Sequence, residues 1–446
     1  MEEDTALLLD LYELTMADAY LAEGMEASAT FSLFVRVLPP RRNYLLAAGL
    51  EDALDYLEHL RFGSAALEWL DARGLFSRRL LDWLEHFRFT GDVDAVPEGT
   101  PVFAEEPLLE VTAPLPVAQL VETVLINQLH LQTMAASKAS RVVQAAAGRP
   151  VVDFGLRRMH GIDAGMKVAR AAFIAGVVAT SNVAAGWRYG LPLSGTLAHS
   201  YVQAHEDERE AFRAFTRRYP EATLLVDTYD TLRGVRHVVR LAQEQGESFH
   251  VRAVRLDSGD LLTLSRDARC ILDDAGLTRI QVVASGGLDE DSVALLVENG
   301  APIDAFGVGT AMGVSKDAPT LDMAYKLVTY AGRDRTKLST AKVLYPGRKQ
   351  VFRLEEDGHA RLDTLTRRDH EAAGRPLLRP MMRAGKRLPG ASPPLIDIQA
   401  HAHHEVATLP PRLLELTPAR PPYPVHVAPA LSQALAQLEA AWATAP

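Results

Sequence analysis

Between about residue 120 and residue 310 the chain alternates short apolar runs with helical text, and each apolar run ends in residues suited to chemistry. The runs lie at 150–154, 176–180, 191–198, 223–227, 251–256, 280–284 and 303–308. Amphipathic stretches at 206–218, 231–245, 261–275 and 289–299 separate most of them, and a longer one at 117–148 leads into the first. Seven strands in this spacing predict an irregular (β/α) barrel in preference to two packed sheets. An open doubly wound sheet is the alternative, but the glycine fingerprint expected after its first strand is missing.

The polar ends fit the barrel. They are Arg157-Arg158, Thr180-Ser181-Asn182, His199-Ser200, Asp227-Thr228, Asp257-Ser258, Ser285-Gly286-Gly287 and Gly307-Val308-Gly309-Thr310. In a barrel such ends converge on one face, which holds the active site. The last two are glycine-rich, and without a Cβ the backbone N–H groups can close on phosphate oxygens. The first, in VVDFGLRRMH at 151–160, supplies two guanidiniums whose planar forks suit phosphate or carboxylate. The pattern predicts an enzyme that handles phosphorylated substrates.

At 446 residues the chain exceeds one ordinary core, and an apolar content of 48% with 23% charged residues is that of a globular protein. A net charge of −10 argues against a nucleic-acid or anionic-membrane partner, so an anionic ligand must meet local positive charge. The single cysteine, Cys270, rules out a disulfide framework and a cysteine zinc site, and fits a reducing cytoplasm. The start, MEEDTALLLDLYELTM, is acidic where a secretory signal is basic. No apolar run approaches the ~20 residues of a membrane span. The flanks carry strand-like text at 30–37, 101–111, 343–344 and 350–354. They read as one discontinuous α+β domain: 1–116 its N-terminal part, 117–330 the barrel, 331–400 the return, and 401–446 a C-terminal extension. That extension holds a proline-rich stretch at 418–429 and a final helix at 430–442.

Several motifs carry a resemblance. DLYELTM at 10–16, FSLFVR at 31–36, DFGLRR at 153–158, TSNV at 180–183, SGTLAHS at 194–200, RLDSGDL at 255–261, ASGGLDE at 284–290, FGVGT at 306–310 and PGRKQVFR at 346–353 occur in family order. Through them the chain resembles the nicotinate phosphoribosyltransferase family from residue 10 to about 383. The resemblance implies a two-domain fold with an irregular α/β barrel and a homodimer sharing its active sites. It also implies the reaction of nicotinate with phosphoribosyl pyrophosphate to give nicotinate mononucleotide and pyrophosphate, with Mg²⁺ and with ATP hydrolysed as co-substrate.

On that reading the 5-phosphate sits on Gly286, Gly287, Gly307, Gly309 and Thr310, with Arg157 or Arg158 adding charge. Asp257 accepts from the ribose hydroxyls. Asp227 is a second candidate, for that role or for Mg²⁺, although an Asp ahead of a helix is as readily its N-cap. Mg²⁺ keeps waters and binds substrate phosphates, so no dedicated protein cage is expected. Tyr12, from the partner subunit, and Phe154 sandwich the pyridine ring as the family implies; taken alone, Tyr12 is ordinary helix packing. Arg255 pairs with the carboxylate, since period-two alternation points Arg255 and Asp257 the same way. Nicotinamide-using relatives carry an Asp at the position of Ser181, or of Asn182 if the register shifts by one; a neutral residue there favours the acid. His199 matches the family's phosphorylated histidine, whose imidazole takes the γ-phosphate of ATP.

Competing readings are a nicotinamide or quinolinate phosphoribosyltransferase, a barrel aldolase, and a non-catalytic barrel. Quinolinate asks for more basic side chains than these motifs provide, and an aldolase needs a strand-end lysine that is absent. A scaffold has no need of His199, Arg255, Asp257 and two glycine turns. His401, His403 and His404 read as solvated, the basic residues at 375–387 as surface charge, and Cys270 as inert.

Overall fold

The computed structural model describes residues 5–338 and 343–443; the acidic first four residues lie outside it. The chain forms two compact units, one built from residues up to Ser137 and from Thr320 onward, the other from Lys138–Pro319. Among the described residues no helix is long and apolar enough to cross a membrane.

The Lys138–Pro319 unit carries six parallel strands, β1 (Val151–Asp153), β2 (Ala179–Thr180), β3 (Thr223–Leu225), β4 (Ala253–Leu256), β5 (Gln281–Ala284) and β6 (Ala305–Val308). Their order is β2-β1-β6-β5-β4-β3. This is the cyclic order of a barrel opened between β2 and β3, so the sheet curls without closing. Segment 191–198, expected as a strand, lies beside β2 and makes only a bridge from Leu193 to Thr180. Pro192 lacks an N–H, and Gly195 weakens any extended run, so the ladder stops there.

Helices cover the sheet. Val235, Val238 and Leu241 of Thr231–Gln245, Ala268 and Leu272 of Leu261–Asp274, and Val293 and Leu296 of Glu290–Glu298 bury against Leu224, Val254, Val282 and Phe306. Asp230, Asp260 and Asp289 cap these three helices by accepting backbone N–H groups. The caps fix where each strand end turns back, and so where the polar residues just ahead of them point.

The other unit is discontinuous, as the sequence predicts. Its seven-stranded antiparallel sheet runs Arg333–Asp334, Met323–Tyr330, Ser28–Val35, Pro107–Pro114, Asp92–Ala95, Arg379–Arg383, Lys386–Arg387. The sequence draws the barrel at 117–330, whereas the units divide at Ser137 and Thr320. Met323–Tyr330 explains the later difference, because it pairs with Ser28–Val35 from the other end of the chain, Leu33 opposite Tyr325. A second sheet contains Arg375–Pro376, Lys349–Glu356, His359–Arg367 and Val425–Val427. The last strand lies within the expected C-terminal extension, so that segment contributes to the unit's sheet. No strand forms at Val343-Leu344.

Candidate active site

Two cavities open where the strands of the curled sheet end. The larger, about 470 Å³, is walled by Leu156, Ser181, residues 195–200 and Leu225. The smaller, about 210 Å³, is walled by Arg158 and by the two glycine turns, including Ser285, Gly286, Gly287, Gly309 and Thr310. Phe154, Arg157, Arg255 and Asp257 line both. The sequence-predicted residues of the barrel, Asp227 apart, thus line these two cavities, which share a wall.

Arg255 is the centre of that wall. Its Nε donates to Ser285 Oγ (2.7 Å), Nη1 to Thr196 Oγ1 (2.7 Å) and Nη2 to Asp257 Oδ1 (2.5 Å). The guanidinium carbon lies 5.3 Å from the centre of the Phe154 ring, within cation–π range. Ser285 Oγ in turn donates to Asp257 Oδ1 at 2.5 Å. Arg255 and Asp257 lie two residues apart at the end of β4, which puts them on the same face as expected.

Asp227 does not cap the following helix; Asp230 does, accepting from the Arg233 N–H at 2.7 Å. Asp227 Oδ2 accepts instead from the Asp257 N–H (3.0 Å) and from Ser258 Oγ (2.6 Å). Its other oxygen, Oδ1, is buried without a hydrogen-bond partner among the described residues. His199 begins the short helix His199–Gln203 and lines the larger cavity. Its Nδ1 is 3.2 Å from Thr228 Oγ1, and its Nε2 is 3.9 Å from Asp257 Oδ2.

The glycine turns are shaped by close approach as well as by φ. A Cβ on Gly286 (φ 92°) would overlap the Asp257 carbonyl, and one on Gly307 would overlap the Phe154 ring. Gly287, with φ 69°, has open space on its Cβ side. Arg157 and Arg158 sit on the 3-10 turn Leu156–Arg158, exposed and without an ion-pair partner among the described residues, so their charge is available to an anion. Asp153 braces this turn, accepting from the Gly155 N–H (2.8 Å) and from Thr180 Oγ1 (2.8 Å); burial pushes its carboxyl upward in pKa.

Ser181 lines the larger cavity, whereas Asn182 is buried, caps Val183–Tyr189 through Ala185 N–H (3.1 Å) and donates to Gly165 O (3.2 Å). Of the two residues, Ser181 is the one that faces this cavity. Tyr12 belongs to the other unit, on helix Leu11–Glu23, with 43% of its surface exposed and its hydroxyl donating to Glu122. Burial and the nearby carboxylates of Glu122, Glu13 and Asp10 push that hydroxyl up in pKa.

The sequence assigns no role to Thr196, Ser285 or Thr228, although the first two fall inside quoted motifs and the third in a polar strand end. Two other expectations need correction. His401 is half-buried and hydrogen-bonded to Thr100 Oγ1 at 3.0 Å, while His403 and His404 are exposed. Of the five basic residues at 375–387, three are paired, Arg375 with Glu355 and Glu405, Arg383 with Asp94, and Arg387 with Glu51 and Glu58, while Arg379 and Lys386 are exposed. Among the described residues no cluster of three metal-ligating side chains occurs.

A curled parallel sheet whose strand ends hold a glycine-lined compartment and a second one sharing its arginines fits an enzyme of phosphorylated substrates. Residues 7–130 match the model of the nicotinate phosphoribosyltransferase (NAPRTase) N-terminal domain, and residues 150–333 that of the NAPRTase family. Nicotinate phosphoribosyltransferase pncB2 of Mycobacterium tuberculosis is 53% identical over 97% of this chain and 94% of its own length. The Bacillus subtilis nicotinate phosphoribosyltransferase is 41% identical over 85% of this chain and 79% of its own. The crystal structure of human nicotinic acid phosphoribosyltransferase superposes with a TM-score of 0.86, at 27% identity, over 96% of this chain and 99% of the other. The chain belongs to the nicotinate phosphoribosyltransferase family.

Proposed function

We propose that this enzyme joins nicotinate to phosphoribosyl pyrophosphate, forming nicotinate mononucleotide and pyrophosphate for NAD synthesis in the cytoplasm. The observation that supports it most is the shared wall of Phe154, Arg255 and Asp257 between the two cavities. A flat acid on the Phe154 and Arg255 side then faces a phosphorylated ribose on the glycine side. The pyridine nitrogen forms its bond to ribose C1 as the bond from C1 to the pyrophosphate oxygen breaks. Positive charge develops on the ribose, and Asp257 stabilises it while accepting from the hydroxyls. Holding both reactants in one orientation supplies much of the acceleration.

Gly286, Gly287, Gly307, Gly309 and Thr310 hold the 5-phosphate, with Arg157 and Arg158 supplying charge. The unpartnered Asp227 Oδ1 fits a cation bound chiefly by substrate phosphates and water, so Asp227 would hold Mg²⁺. Bound there, the ion would neutralise charge on the departing pyrophosphate. ATP enters through His199: the bond from the γ-phosphorus to ADP breaks and a bond to an imidazole nitrogen forms. Water later cleaves that phosphoramidate, releasing inorganic phosphate and restoring the imidazole. Tyr12 from a second copy of the chain closes the ring pocket in a homodimer.

The test is mononucleotide formation from nicotinate and from nicotinamide in parallel, with phosphoribosyl pyrophosphate, Mg²⁺ and ATP. Product chiefly from nicotinate supports the reading, and product chiefly from nicotinamide overturns the substrate. For the coupling, γ-labelled ATP should leave an acid-labile label on the wild type and none on His199→Ala. An unlabelled wild type removes the phosphohistidine.

A further inference from the structure

We infer that Thr196 sets the preference for an acid over an amide by holding the Arg255 guanidinium in one plane. The inference rests on Arg255 as the receptor for the nicotinate carboxylate, and it makes Thr196 a positioning residue. Arg255 has five N–H bonds, and three are committed, to Ser285, Thr196 and Asp257. One remains on Nη1 and one on Nη2. Those two adjacent donors can meet both oxygens of a carboxylate.

Net charge alone cannot make the distinction. Asp257 sits 2.5 Å from Nη2 and neutralises the guanidinium locally. What separates the two ligands is the donor pair itself. A carboxylate accepts both hydrogens, whereas a carboxamide offers one acceptor oxygen and turns an NH₂ toward the second donor. The pair discriminates only if the fork is fixed; a guanidinium free to rotate could offer a single N–H to the amide oxygen.

Of the three anchors, Thr196 alone lines the larger cavity without lining the smaller. Asp257 and Ser285 both face the glycine-lined compartment, so they are exposed to whatever binds there. Thr196 is therefore the anchor that holds Arg255 from the ring side. Its hydroxyl hydrogen goes to Leu197 O at 3.1 Å, which leaves the oxygen as an acceptor toward Arg255. It stands on segment 191–198, at the opening between β2 and β3, tied to β2 by Thr180 N–H to Pro192 O (3.0 Å) and Ser194 N–H to Thr180 O (3.1 Å). The break in the barrel thus brings a hydroxyl to the guanidinium where a seventh paired strand would have carried a different geometry.

The experiment compares Thr196→Val, Thr196→Ser and Arg255→Gln with the wild type, all checked for folding by thermal melting. Thr196→Val should raise KM for nicotinate about tenfold, the cost of loosening one charged hydrogen bond, while kcat and KM for phosphoribosyl pyrophosphate stay within about twofold. The ratio of kcat/KM for nicotinate over nicotinamide should narrow, and Thr196→Ser should restore it. Unchanged nicotinate KM and ratio in Thr196→Val, with Arg255→Gln unable to use nicotinate, would sink the role of Thr196 and leave Arg255 in place. Unchanged nicotinate KM in Arg255→Gln would remove the carboxylate receptor itself. A parallel loss of kcat and of both KM values in Thr196→Val would mark it as a structural residue only.

Discussion

The Phe154 ring packs so close to Gly307 that a Cβ there would overlap it. The two residues sit on paired strand ends, with the Phe154 N–H donating to Val308 O at 2.9 Å. The same ring carries Arg255 above it. Gly307→Ala must therefore push the ring into the pocket or push the strands apart. Overpacking of this kind costs about 1–3 kcal/mol of stability. Displacement of the ring should also raise KM for nicotinate about tenfold or more. Thermal melting and steady-state kinetics check both; a variant with wild-type KM would show that the ring does not contact the pyridine.

Asp257 has two duties, to the ribose and to Arg255, and a single substitution separates them. Asp257→Asn keeps the shape but removes the charge that opposes positive charge at C1, and should lower kcat by about 10²–10³-fold. It also removes the carboxylate that neutralises Arg255. Nicotinate binding, measured by calorimetry on the unreactive variant, should be as tight as in the wild type or tighter. Weaker nicotinate binding would mean that Asp257 is needed to present the guanidinium.

These two residues also show how much could be read from the chain. The barrel, its polar strand ends and the Arg255–Asp257 pair follow from local periodicity, because alternation alone fixes which side chains share a face. Thr196 and Ser285 did not stand out, since they reach Arg255 across 59 and 30 residues of sequence and a lone hydroxyl has no pattern. Segment 191–198 reads as a strand by its apolar content, yet Pro192 and Gly195 leave it with a single bridge. Met323–Tyr330 belongs by sequence position to the barrel, but its register partner is Ser28–Val35. Pairing of that range is a property of topology, which no window of residues displays.

Ser181, which also lines the larger cavity, gives a second test of selectivity. Ser181→Asp places a carboxylate where the nicotinate carboxylate must approach, and like charges in a partly dry pocket cost several kcal/mol. Its kcat/KM for nicotinate should fall by about 100-fold, while that for nicotinamide rises because the new carboxylate can accept from the amide NH₂. Asn182→Asp serves as the control. Asn182 donates to Gly165 O from a buried cap, so this change should cost stability without redirecting the substrate. Equal kinetic effects from both variants would remove Ser181 as the selective position.

Glu13 links pH to the stability of the first helix. It is buried beneath Leu11–Glu23, with Oε1 accepting from the Thr123 N–H (2.8 Å) and Thr123 Oγ1 (2.6 Å), while Oε2 has no hydrogen-bond partner among the described residues. Burial raises its pKa to about 7, Glu122 and Asp10 add to the rise, and the bonds from Thr123 oppose it. The folded protein therefore holds this proton more tightly than the unfolded chain, whose glutamate titrates near 4.5. The stabilisation is complete below that value and is lost as pH rises toward about 7. Glu13→Gln keeps an acceptor for Thr123 and cannot ionise. Its melting temperature relative to wild type should therefore climb steadily from about pH 5 to about 7 and level off above that. A constant difference across that range would mean that Glu13 is ionised in the folded protein throughout.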